Sequence, residues 1–260
     1  MAYYEAETLT AENMSVFWVG IPVLIGLTCL IMSWYFFSVR RHVPLAVSIL
    51  AWGIIVETVS YYVPLVEGLD WNLSQCWPGV LLANALFATP LVAFYVAWQK
   101  ETFRKFLLSI PPADMISIQA CRIAGAAYLY LYFTKDVRNN VTLMVGVFDV
   151  LLSTTALPLA SYVRSVGAGA AKDYIYMWNV FGITDLLVPF ALFPFNLFGV
   201  LYNPIDSLSF FFLHPIANVV IFNVPLCMIN HFLFLTRLDE MVQESDSDRE
   251  VERLEYTSIP

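Results

Sequence analysis

Charge is what this chain has least of. Only 13% of its 260 residues are Asp, Glu, Lys or Arg, about half the ~25% typical of soluble globular proteins, too few to cover a water-facing surface. The 13 basic residues are outnumbered by 21 acidic ones, for a net charge of −8. With no basic face to displace counterions from phosphates, nucleic-acid binding is excluded. Cysteine is sparse as well. Cys29, Cys76, Cys121 and Cys227 form no C-x-x-C pair and three of them lie in apolar runs, so neither a disulfide framework nor a zinc site is expected. His42, His214 and His231 are the three histidines. No two of them fall at matching depth on facing segments, so no haem, metal or other cofactor is expected.

What the chain has instead is long apolar runs, at roughly 15–38, 44–66, 76–98, 114–133, 140–162, 174–201 and 207–236. As a helix rising 1.5 Å per residue, each reaches across a hydrocarbon core of about 30 Å. The fold class expected is all-α: a polytopic integral membrane protein built as a seven-transmembrane-helix bundle, its main partner the lipid bilayer. Residues 1–14 read as a polar leader, 15–236 as the membrane domain, and 237–260 as an acidic, disordered tail. The fourth run is started after Pro111 and Pro112, which cannot continue the preceding helix. No cleavable signal peptide is expected, because the first run is long, lacks a basic flank and follows acidic residues.

Basic residues orient the bundle. With the N-terminus outside or lumenal and the C-terminus cytosolic, Arg40, Arg41, Lys100, Arg104, Lys105, Arg164, Lys172 and Arg237 face the cytosol, and only Lys135 and Arg138 lie opposite. Sequons at Asn13, Asn72 and Asn140 fall on the outer side, with Asn72 and Asn13 the glycan acceptors expected. The span from Tyr256 to Ile259 has the form of a tyrosine-based sorting signal. The endomembrane system, foremost the endoplasmic reticulum, or the plasma membrane is the location expected.

Ionisable groups at membrane depth are costly and mark function. Glu57, Arg122, Asp149, Asp185, His214 and the amide Asn84 all fall within about the middle third of their spans at 1.5 Å per residue, which predicts one shared polar cavity. Three carboxyl groups face one guanidinium there. Arg122 is expected to hold Asp149 or Asp185, and at least one acid, with Glu57 first, to carry its proton at neutral pH and serve as a Brønsted acid. Asn218, four residues after His214, shares its face. His231 is expected near the inner interface in a structural role. Trp52, Tyr61, Trp178 and Phe181 are the aromatic lining expected, able to stabilise a transient cation; Trp178, Gly182, Asp185 and Pro189 fall on one helical stripe.

Several seven-span families do not fit. The last span holds no lysine for retinal, Trp98-Gln-Lys and Asn223-Val-Pro225 depart from the rhodopsin-like receptor motifs, and no H-x-x-x-H serves a ceramidase-type zinc. The short-looped seven-span plan, with Glu57 following Trp52 in span 2 and Asp185 late in the chain, resembles the compact fungal membrane-bound terpene cyclases of meroterpenoid pathways. That resemblance implies an isomerase or lyase in which Glu57 and Asp185 act as acids, protonating and cyclising a lipophilic prenylated substrate without a cofactor. The pattern Arg122, Gly146-x-x-Asp149 and Asn179-x-x-Gly182-x-x-Asp185 also resembles an uncharacterised group of small bacterial membrane proteins. Against the enzyme stands a second expectation, a receptor or a transporter of a small molecule or proton with its site in the same polar layer.

Overall fold

A computed structural model describes residues 11–62, 73–134, 140–197 and 216–257, and every regular element in them is helical. The first is α1, Ala11–Trp34, which ends in a π turn at Tyr35–Val39. It is followed by α2, Val43–Tyr62, then α3, Leu73–Trp98, and the short α4, Glu101–Leu108. The fourth apolar run divides into α5, Pro112–Ile118, a 3-10 segment, Gln119–Gly125, and α6, Ala126–Thr134. Two long helices come next, α7, Asn140–Val166, and α8, Lys172–Leu197. The last run holds α9, Ile216–Asn218, a π segment, Val219–Asn223, and α10, Val224–Thr257.

Among the described residues, five helical stretches are long and apolar enough to cross a membrane: Val19–Val39, Val43–Tyr62, Leu81–Trp98, Val141–Val166 and Ile216–Ser245. The chain is a multi-pass membrane protein. Its side chains sort as a bilayer dictates. On α2, Ala46, Ile49, Gly53, Val56 and Ser60 form a buried stripe, whereas Val47, Leu50, Ile54 and Tyr61 are exposed. On α1, Ile25 is 2% exposed and Val23 is 53% exposed. Both faces are apolar, which is stable only where the outer one meets lipid rather than water. The last run is the inner post of the bundle, packed against α1, α2, α3, α5 and α8.

Two expectations change. The helix expected from 114 takes in Pro112 as its first residue; a proline there loses only an N–H that has no intrahelical partner anyway. The tail expected to be disordered from 237 is helix as far as Thr257. Its Glu, Arg, Leu and Met residues are good helix formers, and an N-terminal half already anchored in the bundle removes the cost of nucleation.

Polar contacts gather at one end of the bundle. Arg40 at the end of the first helix donates to the Ser109 carbonyl at 2.8 Å and to its hydroxyl at 2.6 Å. Asp114 in the first turn of α5 accepts from the Tyr35 hydroxyl at 2.8 Å and from Arg164 of α7 at 3.0 Å. Lys172, opening α8, pairs with Asp239 of α10 at 2.5 Å, and this hydrogen bond holds the lysine ammonium above its ordinary value. Lys105 beside Glu101 likewise holds that exposed carboxyl below the usual range. Arg237 lies over the Trp98 ring, 5.9 Å from its centroid.

Candidate functional site: a buried charge cluster and a separate glutamate

Glycines set up the first group. Gly125 ends the 3-10 segment, and the Asp149 carboxyl group of α7 occupies the place a Cβ would take. Gly182 on α8 makes the same room for the imidazole of His231 on α10. Close approach at these two points lets three helices deliver polar groups to Arg122, which is 3% exposed.

Arg122 uses every edge of its guanidinium. Its Nε donates to Asp149 Oδ1 at 2.6 Å, and its Nη2 donates to Asp185 Oδ2. Its Nη1 donates to His231 Nε2 at 3.1 Å and reaches the Gly182 carbonyl at 3.5 Å. A guanidinium can only donate, so His231 Nε2 must accept and the ring is neutral. Its proton then sits on Nδ1, which donates to Asn179 Oδ1 at 2.7 Å. Asn179 in turn donates from Nδ2 to the Ile175 carbonyl at 2.7 Å. Trp178 packs on the outer side, its ring centroid 5.6 Å from that of His231 and its indole N–H donating to Thr155 at 3.0 Å. The cluster carries a formal charge of −1 when both carboxylates are ionised. A buried cation paired with hydrogen-bonded anions pins helices in register, and removing either partner is far costlier than replacing all of them.

The second group is Glu57. It is half-buried on α2, and its Oε2 accepts from the Asn218 amide of the last run. Trp52, one and a half turns earlier, is also half-buried, with its indole N–H buried and without a partner among the described residues.

The single cavity expected from the sequence is therefore two groups. Arg122 holds both Asp149 and Asp185, not one of them. Asp185, expected as a catalytic acid, is an ion-pair partner, with its Oδ1 unbonded among the described residues. Asn84 sits on the exposed side of α3, Tyr61 is 58% exposed, and Phe181 is 39% exposed with its ring edge-on to Phe148. His214 and Asn72 lie outside the described residues, and of Asn13 only the backbone, in the first turn of α1, is described.

His231, expected in a structural role, is fully buried, and its membership of the Arg122 cluster is what the sequence reading did not single out. The fully buried Gln119 and the buried Asn223 and Asn230 were not singled out either. The signal for the two asparagines is a series of amides in one apolar run, Asn218, Asn223 and Asn230, at spacings of five and seven.

No curated protein and no solved structure matches the chain. A family model does match residues 77–239, more than half of the chain. The matched stretch contains Arg122, Asp149, Asn179, Asp185 and His231, while Glu57 precedes it. With its Arg122-centred cluster wholly inside that match, the chain belongs to the family described as a domain of unknown function, DUF8737.

Proposed function

We propose that the chain is a membrane enzyme of the isomerase or lyase type, similar to the membrane-bound terpene cyclases, in which Glu57 protonates a lipophilic prenylated substrate. The observation that carries this reading is a carboxyl group that lies outside the Arg122 cluster on an apolar helix. Arg122 is engaged by Asp149, Asp185 and His231, whereas the Glu57 carboxyl meets the neutral amide of Asn218 at half-burial within an apolar helix. A carboxyl in such surroundings suits proton donation. Glu57 gives its proton to an epoxide oxygen or an alkene carbon; the C–O or π bond opens, a neighbouring alkene's electron pair closes the ring, and the last cation loses a proton to water, leaving Glu57 as a carboxylate to be protonated again. The product is an isomer of the substrate. The Arg122 cluster fixes the helices among which the substrate lies.

The same proposal includes seven spans, an N-terminus outside or lumenal, a cytosolic C-terminus and residence in the endomembrane system. Eight basic residues on one side against two on the other support that orientation. A second reading, a transporter of a proton or small polar molecule, is favoured by one observation: buried amides with unbonded atoms run through the bundle. The test is expression of the full chain in a heterologous host supplied with a farnesylated aromatic epoxide. A cyclic product of unchanged mass supports the enzyme, and an untouched substrate contradicts it.

A further inference from the structure

The last helical run carries buried polar groups along one side. Asn218, Asn223, Cys227, Asn230 and His231 are all 6% exposed or less. In a regular α-helix Asn218 and Asn223 point to different sides. The π segment between them, closed by Val224 N–H to Val219 O, changes this, since its i→i+5 spacing brings residues five apart onto one side. Steps of four and three then reach Cys227 and Asn230, and His231 follows Cys227 by four, so that all three border one broad face by helical spacing. Both ends of this side are tied to acids. Asn218 bonds Glu57, and His231 bonds Arg122 between Asp149 and Asp185. Across from it runs the fourth apolar run, where Asn230 donates to the Met115 carbonyl at 2.8 Å. Gln119 is four residues after Met115 and three before Arg122, so it shares the face that meets the stripe.

Hydrogen-bonding capacity is left over along this seam. Both side-chain polar atoms of Gln119 and of Asn223, and the Oδ1 atoms of Asn218, Asn230 and Asp185, have no partner among the described residues. Each such atom is costly unless satisfied, and, the Asp185 oxygen apart, this is an uncharged set of amide donors and acceptors of the kind that suits water. The 3-10 segment and the π segment pack against each other here, two irregular backbones of the kind tolerated at membrane depth where they are buried or line a wet cavity.

We propose that this seam is a water-filled proton relay that recharges Glu57 from the end of the bundle where the ion pairs gather. It rests on the reading of Glu57 as a proton donor and adds the route of resupply. From Asn218 to His231 the stripe climbs about 20 Å at 1.5 Å per residue. A proton entering at the Asn230 end passes from water to water, each water accepting one and releasing one, until the Glu57 carboxylate takes it up. The amides anchor the waters and do not themselves titrate, and no co-reactant beyond water is required.

The test is infrared spectroscopy of the full chain in lipid bilayers as H₂O is replaced by D₂O, following the carboxylic acid C=O band that Glu57→Gln removes. Asn223→Leu and Gln119→Met, which replace amides by apolar groups of similar size, are expected to slow its shift by roughly tenfold or more, while Asn223→Ser keeps the wild-type rate. Either apolar variant suffices if the other does not fold. Equal rates in wild type and a folded apolar variant overturn the relay while leaving the acid in place. A spectrum in which Glu57→Gln removes no acid band overturns the donor reading and the relay with it.

Discussion

His231 donates its Nδ1–H to Asn179 Oδ1 at 2.7 Å, and this one bond fixes which face the imidazole turns to Arg122. With the proton held on Nδ1, Nε2 is free to accept from the guanidinium at 3.1 Å. Asn179→Leu leaves a buried N–H without its acceptor, a loss of about 1–3 kcal/mol. A lowered apparent Tm in detergent is the expected outcome, with Asn179→Asp closer to wild type because an acceptor remains. An unchanged Tm for the leucine variant would contradict the arrangement.

Arg122→Ala strands two carboxylates rather than one and is expected to cost about 3–5 kcal/mol, seen as loss of monodisperse protein after extraction. Because Asp149 and Asp185 bond different nitrogens of the same guanidinium, neutralising one of them restores little. Arg122→Ala with both Asp149→Asn and Asp185→Asn is expected to recover more than either double variant. Full rescue by one aspartate alone contradicts the shared pairing.

Glycine substitutions separate the cluster from the lipid face. A Cβ at Gly125 meets the Asp149 carboxyl group, and one at Gly182 meets the His231 ring. Gly125→Ala and Gly182→Ala are therefore expected to destabilise by about 1–3 kcal/mol or more. Gly20 and Gly26 on α1 have nothing within 4 Å of an added Cβ. Gly20→Ala and Gly26→Ala are expected to be neutral or to gain up to about 1 kcal/mol of helix propensity. Thermal unfolding of the four variants side by side checks the contrast.

A tag placed after Pro260 is expected to be cytosolic and one before Met1 to be lumenal or external. Protease digestion of sealed microsomes reads both ends. Protection of the C-terminal tag contradicts the orientation drawn from the basic residues.

The regular helices were legible because their apolar runs are long enough to cross a bilayer; which side is buried was not, since Ala46, Ile49, Gly53, Val56 and Ser60 recur at helical spacing among neighbours that are as apolar as they are. The candidate site was legible in part. Arg122, Asp149 and Asp185 stand out as charges in apolar runs, and their grouping rests on depth alone. The irregular segments were not. Nothing in Gln119–Gly125 forbids an α-helix, and its 3-10 winding is a tertiary choice that accompanies the seating of Asp149 against Gly125. For the π segment a trace exists, since Pro225 lacks the N–H that the Ile221 carbonyl would accept, but a proline does not say how the ladder is repaired. The pairing of His231 with Arg122 was not legible, because it depends on how α8 and α10 close on each other at Gly182.

Glu57 is the residue on which the enzymatic reading turns. The most direct measurement is product formation from a farnesylated aromatic epoxide by microsomes holding equal amounts of folded wild-type, Glu57→Gln or Glu57→Asp protein. Glutamine keeps the shape and can still accept from Asn218, but has no proton to give. The predicted result is a cyclic isomer from the wild type, a fraction of it from Glu57→Asp, and none from Glu57→Gln. Wild-type yield from Glu57→Gln, or no cyclic product from any of the three, contradicts it.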